Sequence, residues 1–223
     1  MASILCIETA TTNCSIALSV NGDVEVLIED KSKQFSHAER LHTFIEQVLV
    51  EANISKNSLD AIAVSKGPGS YTGLRIGVSA AKGLCFALDI PLISIPTLES
   101  LALQVQPDKG VIVSMLDARR MEVYSAVFSS EGNQVRETQA EILTENSFTQ
   151  YLEKEPVLFI GPGAEKFEPI CQHKNATFLN DTLPSAYQMA ALAEAKYKIS
   201  DIENVAYFEP YYLKDFLTTV PKK

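Results

Sequence analysis

Positive charge is scarce in this chain. Nineteen lysines and arginines stand against 28 aspartates and glutamates, giving a formal net charge of −9 at pH 7. Affinity for nucleic acid comes largely from lysine and arginine neutralising phosphates, so a chain this acidic is not expected to grip RNA or DNA by itself. Its longest basic clusters, Arg119-Arg120 and Lys222-Lys223, are too short to make a patch. Cysteine is also sparse. Cys6, Cys14, Cys85 and Cys171 are scattered without a CxxC pair, which argues against a disulfide framework and against a zinc site. No apolar run reaches the roughly 18 to 20 residues that a membrane helix needs. The opening MASILCIETATTNC has no basic stretch leading into a long apolar one. A cytoplasmic protein with no membrane association is the expectation.

What is present is a globular composition. With 223 residues, 46% of them hydrophobic, the chain can bury one large core or two smaller ones. ILCIE (4–8), CSIALSV (14–20) and VEVLIED (24–30) read as three strands, the last two joined at Asn21-Gly22 as a hairpin. A helix follows over about 37–52, where Ser36 and Glu39 have capping-box spacing and Leu41, Ile45, Val48, Leu49 and Ala52 recur at helical period. LDAIAVS (59–65), a second helix over 74–88 and PLISI (91–95) complete a strand-helix-strand-helix-strand order expected of a ribonuclease-H-like α/β unit. A second half begins near Thr97. It has strands at 110–117, 121–129 and 156–161, a short helix near 164–170 and a longer one at 185–197, with a polar, mixed stretch over 130–155. Two packed α/β subdomains are expected, 1–100 and 101–223, the last segment packing back on the first.

The glycine-rich SKGPGSYTGLRIGVSAAKGL (65–84) is the most informative stretch. It is no Walker loop, because Gly73 is followed by leucine and Gly67 lies six residues before it rather than five. It also misses the dinucleotide fingerprint by one residue, reading GxGxxxG over Gly67, Gly69 and Gly73. Gly67-Pro68-Gly69 instead sets the direction of a turn, and Ser70 or Thr72 can cap the helix that follows. That helix has only Arg75, Ser79 and Lys82 as polar residues between 74 and 88, and a small-residue stripe at Gly73, Gly77 and Ala81. A helix apolar on nearly all sides is covered on more than one of them, by a partner chain or by another part of the same chain.

At this point the residues carry a resemblance. AVSKGPGSYTGLRIGVSAAKGLCFALDIPLISIPTLESLA resembles the signature region of the TsaB (YeaZ) family, and IETATTNCSIAL, FSHAERL, LDARRMEVYSAVF and EPYYLK are similar to that family in the same order. The resemblance implies a two-lobed fold of the actin, sugar kinase and Hsp70 type. It also implies a part in forming N6-threonylcarbamoyladenosine at position 37 of tRNAs that read ANN codons. Members pair through their first two helices with TsaD, the paralogous catalytic subunit, work with the ATPase TsaE, form homodimers in isolation, and meet tRNA only within the complex. Candidates for the pairing surface are Ala38, Leu41, Ile45, Gly73, Leu74, Gly77, Val78 and Ala81. Bulk at Gly77 is then expected to break a heterodimer while leaving the fold intact.

The catalytic paralogue carries a metal-binding HxxxH pair where this chain has Thr97 and Leu101, and the three histidines His37, His42 and His173 supply no substitute. A non-catalytic subunit with no metal and no required cofactor is therefore expected, His37 being a surface or capping residue. The same superfamily implies a nucleotide cleft, with ATP or ADP at the partner interface, from Glu8, Thr9, Thr11, Asp117, Arg119, Gly161 and Gly163. A polar turn capped by hydroxyls explains Thr9 and Thr11 equally well. The alternative is a stand-alone enzyme, kinase-like or a peptidase. Degenerate phosphate loops count against the first, and the lack of HExxH or GxSxG against the second.

Overall fold

The structure, a computed structural model, describes residues 1–32 and 37–214. Ser36 and Lys222-Lys223 lie outside the described residues.

The first apolar runs become strands β1 (Ser3–Glu8), β2 (Cys14–Val20) and β3 (Asp23–Asp30). Asn21 and Gly22 join β2 to β3 with φ of 56° and 89°, the left-handed pair that matches the twist of a tight hairpin. Helix α1 (His37–Glu51), strand β4 (Ala61–Gly67), helix α2 (Tyr71–Leu88) and strand β5 (Leu92–Pro96) follow. Ser70 caps α2 by accepting from the Gly73 N–H at 3.3 Å. The sheet order is β3-β2-β1-β4-β5, with β2 antiparallel to both its neighbours and β4 and β5 running parallel to β1.

After helix α3 (Thr97–Ala102) the pattern recurs as β6 (Val111–Asp117), β7 (Glu122–Ser129), β8 (Gln134–Ile142), α4 (Thr149–Leu152), β9 (Val157–Ile160), α5 (Ala164–Phe167) and β10 (Ala176–Leu179). Its sheet, β10-β9-β6-β7-β8, has the same mixture of antiparallel and parallel pairs. Helix α6 (Ala186–Lys198) closes the series. This is an α/β fold of two ribonuclease-H-like units, each built on a five-stranded mixed sheet. The stretch 130–155, polar in sequence, holds β8 and α4.

Both faces of each sheet are covered, which is why its central strands read as continuous apolar runs. Leu5 and Ile7 of β1 meet Leu41, Val48 and Val78 of α1 and α2, while Ile4 and Cys6 meet Met189 and Ala193 of α6. In the second unit Val113 and Met115 face Phe148 and Phe167, and Ile112 and Leu116 face Leu98 and Leu101 of α3. The two helices between the sheets are thus exchanged. Helix α3 follows the first sheet and covers the second, whereas α6 follows the second and covers the first. Full burial of Met189 alone contributes about 2 kcal/mol to that contact. The start of α6 is pinned where Ser15 Oγ accepts from the Ala186 N–H at 2.9 Å and Asn13 donates to the Pro184 carbonyl at 2.9 Å. Among the described residues no helix is long and apolar enough to cross a membrane.

Candidate functional site

Seven of the eight residues expected on a pairing surface face the chain's own core. Leu41, Ile45, Leu74, Val78 and Ala81 are no more than 4% exposed, and Gly73 and Gly77 are buried with them. Only Ala38 is exposed. The cause is the loop after β1. Thr9 donates its hydroxyl to the Gly73 carbonyl at 2.8 Å, a Cβ on Gly73 would fall 2.1 Å from the Thr9 carbonyl oxygen, and one on Gly77 would fall 2.2 Å from Thr9 Oγ1. The small-residue stripe admits the backbone of the same chain, so the expected assignment is corrected to an internal seat.

The opposite face of α2 is the open one. It exposes Thr72, Arg75, Ser79, Gly83 and Phe86, and leaves Ile76, Ala80 and Leu84 half-buried. With Ala38 and His42 of α1, the residues of this face from Thr72 to Leu84 border a shallow groove of about 930 Å³. Phe86, 87% exposed, stands one turn beyond it. A Cβ on Gly83 would meet nothing within 4 Å, so this helix surface is flat enough for another helix to approach closely. Arg75 is the one charged residue in the groove lining and lies 4.8 Å over the Tyr71 ring. The signal for this face was present in the sequence, since Arg75, Ser79 and Gly83 recur every four residues.

The residues expected to form a nucleotide cleft do not come together as an open site. Glu8, which ends β1, is wholly buried, and burial pushes its carboxyl up to about 7 against the opposing pull of the Ala10 amide, the Ser65 hydroxyl and the Thr9 amide. Ala10 N–H and the Ser65 hydroxyl donate to Glu8 Oε1 at 2.5 and 2.9 Å. Its Oε2 has no hydrogen-bond partner among the described residues. Thr9 is buried beside it. Gly161 and Gly163 are buried too, and their amides are spent on the Leu179 and Met115 carbonyls at 3.0 and 3.1 Å. Thr11, Asp117 and Arg119 do reach the surface. Asp117 accepts from Lys166 at 2.6 Å and from the Arg119 N–H at 2.5 Å. The set does not fit a nucleotide phosphate, because Glu8, Thr9, Gly161 and Gly163 offer it neither a free amide nor open space.

His37 is corrected as well. It is 2% exposed rather than on the surface, and its Nε2 lies 2.7 Å from the Thr11 carbonyl oxygen, which requires the proton on Nε2. Burial lowers its pKa, so the ring is neutral at pH 7. Thr97 and Leu101 are buried on α3, and Leu101 packs against Gly161. Leu101 has no donor atom, so this pair does not fit a metal. Among the described residues no group of three or more His, Cys, Asp or Glu is placed to hold one.

Comparison with known proteins places this geometry. The family model for TsaD, tRNA N6-adenosine threonylcarbamoyltransferase, matches residues 31–215. The tRNA threonylcarbamoyladenosine biosynthesis protein TsaB of Haemophilus influenzae is 30% identical over 97% of this chain and 95% of its own length. Its counterpart in Escherichia coli is 31% identical over 95% of this chain and 94% of its own. Among solved structures, YeaZ from Pseudomonas aeruginosa superposes with a TM-score of 0.82 at 26% identity, covering 96% of this chain and all of that one.

Proposed function

The chain belongs to the TsaB family, and from that premise we propose that it is the non-catalytic partner of TsaD in tRNA threonylcarbamoyladenosine biosynthesis, docking through the groove between α1 and α2. The observation that carries this reading is the open face of α2: a flat, small-residue surface with Phe86 standing out at its end, on a helix whose other faces are already covered. Exposed apolar surface of this kind is what an association site requires. The same face, presented by two copies related by a two-fold axis, accounts for a homodimer when TsaD is absent.

The lack of catalysis is supported by the site residues themselves. Thr97 and Leu101 stand where a metal-binding pair is needed, and Glu8 is sealed inside the first unit. TsaE joins the assembled pair, and tRNA meets the complex rather than this acidic chain alone, whose net charge is −9.

Reconstitution of tRNA modification from purified TsaD and TsaE, supplied with threonylcarbamoyl-adenylate, tests the reading. Product is expected only when this chain is added, and the chain alone is expected neither to make product nor to turn over Mg-ATP. Full activity without the chain, or nucleotide turnover by the chain alone, would overturn it.

A further inference from the structure

The chain does not stop at α6. Residues 203–214 return along the first unit and are seated on it by backbone and side-chain contacts. The Glu203 N–H donates to the Leu92 carbonyl at 2.8 Å, and the Tyr211 N–H to the Lys66 carbonyl at 2.7 Å. Lys82 of α2 reaches the Ala206 and Phe208 carbonyls at 3.2 and 2.9 Å. Val205 and Phe208 pack on the core beneath α2. The seat is shaped at Gly67, whose φ is 107° and where a Cβ would fall 2.9 Å from the Tyr211 carbonyl oxygen. At the far end Lys214 pairs with Glu122 of β7, so the segment spans both units.

What this segment delivers to the groove is Tyr212. Its ring lies 5.0 Å from that of Tyr71, and the Arg75 guanidinium lies 4.8 Å from the centroid of the same Tyr71 ring. Arg75 thereby rests on a tyrosine of α2 that is itself backed by a second tyrosine from the chain end. Among the described residues no ion pair engages Arg75, and no acidic side chain lines the groove. A guanidinium is a planar fork matched to a carboxylate, and one already held in place loses little rotamer freedom on pairing.

We propose that residues 203–214 complete the docking surface by fixing Arg75 as the recognition point for a carboxylate on the helix that occupies the α1–α2 groove. The proposal rests on the docking reading above and names the chemistry of the partner that the groove selects.

The test uses the full chain and purified TsaD in calorimetric titrations at low and high salt. Arg75→Gln and Tyr212→Ala are each expected to weaken binding about tenfold, as loss of a charged hydrogen-bonded pair does. Tyr212→Phe, which keeps the ring that backs Tyr71, is expected to bind as the wild type does, and a loss equal to that of Tyr212→Ala would overturn the ring's part. Arg75→Gln is also expected to flatten the salt dependence. Ser79→Trp fills the groove one turn along α2 from Arg75 and serves as the control for docking itself. If Ser79→Trp weakens binding but Arg75→Gln matches the wild type at both salts, the carboxylate proposal falls and the groove stands. If Arg75→Gln weakens binding and Tyr212→Ala does not, the part assigned to the chain end falls. If Ser79→Trp also binds as the wild type does, the docking reading itself falls.

Discussion

Thr9 and Gly77 stand so close that a Cβ on Gly77 would lie 2.2 Å from Thr9 Oγ1, the same oxygen that donates to the Gly73 carbonyl at 2.8 Å. Helix α2 and the loop after β1 are therefore one packed unit, and the helix residue that looks most like an interface glycine is a core residue. Adding atoms to such a contact costs about 1 to 3 kcal/mol. Gly77→Ala is expected to destabilise the isolated chain by that amount, and Gly77→Leu by more. Denaturant unfolding of the purified variants checks this, and an unchanged midpoint would remove Thr9 from the account.

Gly83, two turns further along, is expected to behave in the opposite way. A Cβ there meets nothing within 4 Å. Gly83→Ala therefore gains helix propensity at no packing cost and should stabilise the isolated chain by about 0.5 to 1 kcal/mol. Unfolding curves of the two alanine variants side by side must move in opposite directions. A loss of stability in Gly83→Ala would mean that the outer face of α2 is covered by this chain itself.

Much of the fold was legible in the sequence, and the failures have physical causes. Asn21-Gly22 marked its hairpin because few other pairs take two left-handed residues in succession, and β1, β4, β6 and β9 were plain because strands covered on both sides must be apolar throughout. Strand β8 was not legible. It pairs only with β7 at the sheet edge and exposes Gln134, Val135, Glu137, Gln139, Ala140 and Ile142, so QVRETQAEI has the composition of a loop. Strand β10 and helix α3 are too short, at 4 and 6 residues, to show a period. The candidate site failed for another reason. A small-residue stripe means close approach of something, and sequence does not say whether that is a partner helix or the chain's own Thr9–Ala10 loop.

Glu8 links stability to pH. Its carboxyl, raised from 4.5 to about 7 by burial, binds a proton more tightly in the folded state. The stability it contributes is present in full below pH 4.5 and is lost as pH rises through 7, amounting to about 3 kcal/mol when complete. Glu8→Gln keeps the oxygen that serves Ala10 and Ser65 and carries no charge. The variant is expected to gain on the wild type between pH 5 and 8, measured by urea unfolding at each pH. A stability difference that does not change with pH would contradict the assignment.

The β6–β7 turn holds two successive non-glycine residues with positive φ, Arg119 at 70° and Arg120 at 50°. Each costs about 1 to 2 kcal/mol relative to a glycine, which takes that conformation freely. Arg120→Gly is expected to raise the melting temperature by about 2 to 4 °C in a chain of this size. A drop would show that the Arg120 side chain makes a stabilising contact.

The central claim is that the open face of α2 holds TsaD. The dissociation constant of purified TsaD for the Gly83→Leu chain, compared with the wild type, tests it most directly, because this variant adds bulk to the groove at a position where the chain itself has room. Binding weakened by about tenfold or more, with the variant as stable as the wild type, is the predicted result. Equal affinity for the two chains would contradict it.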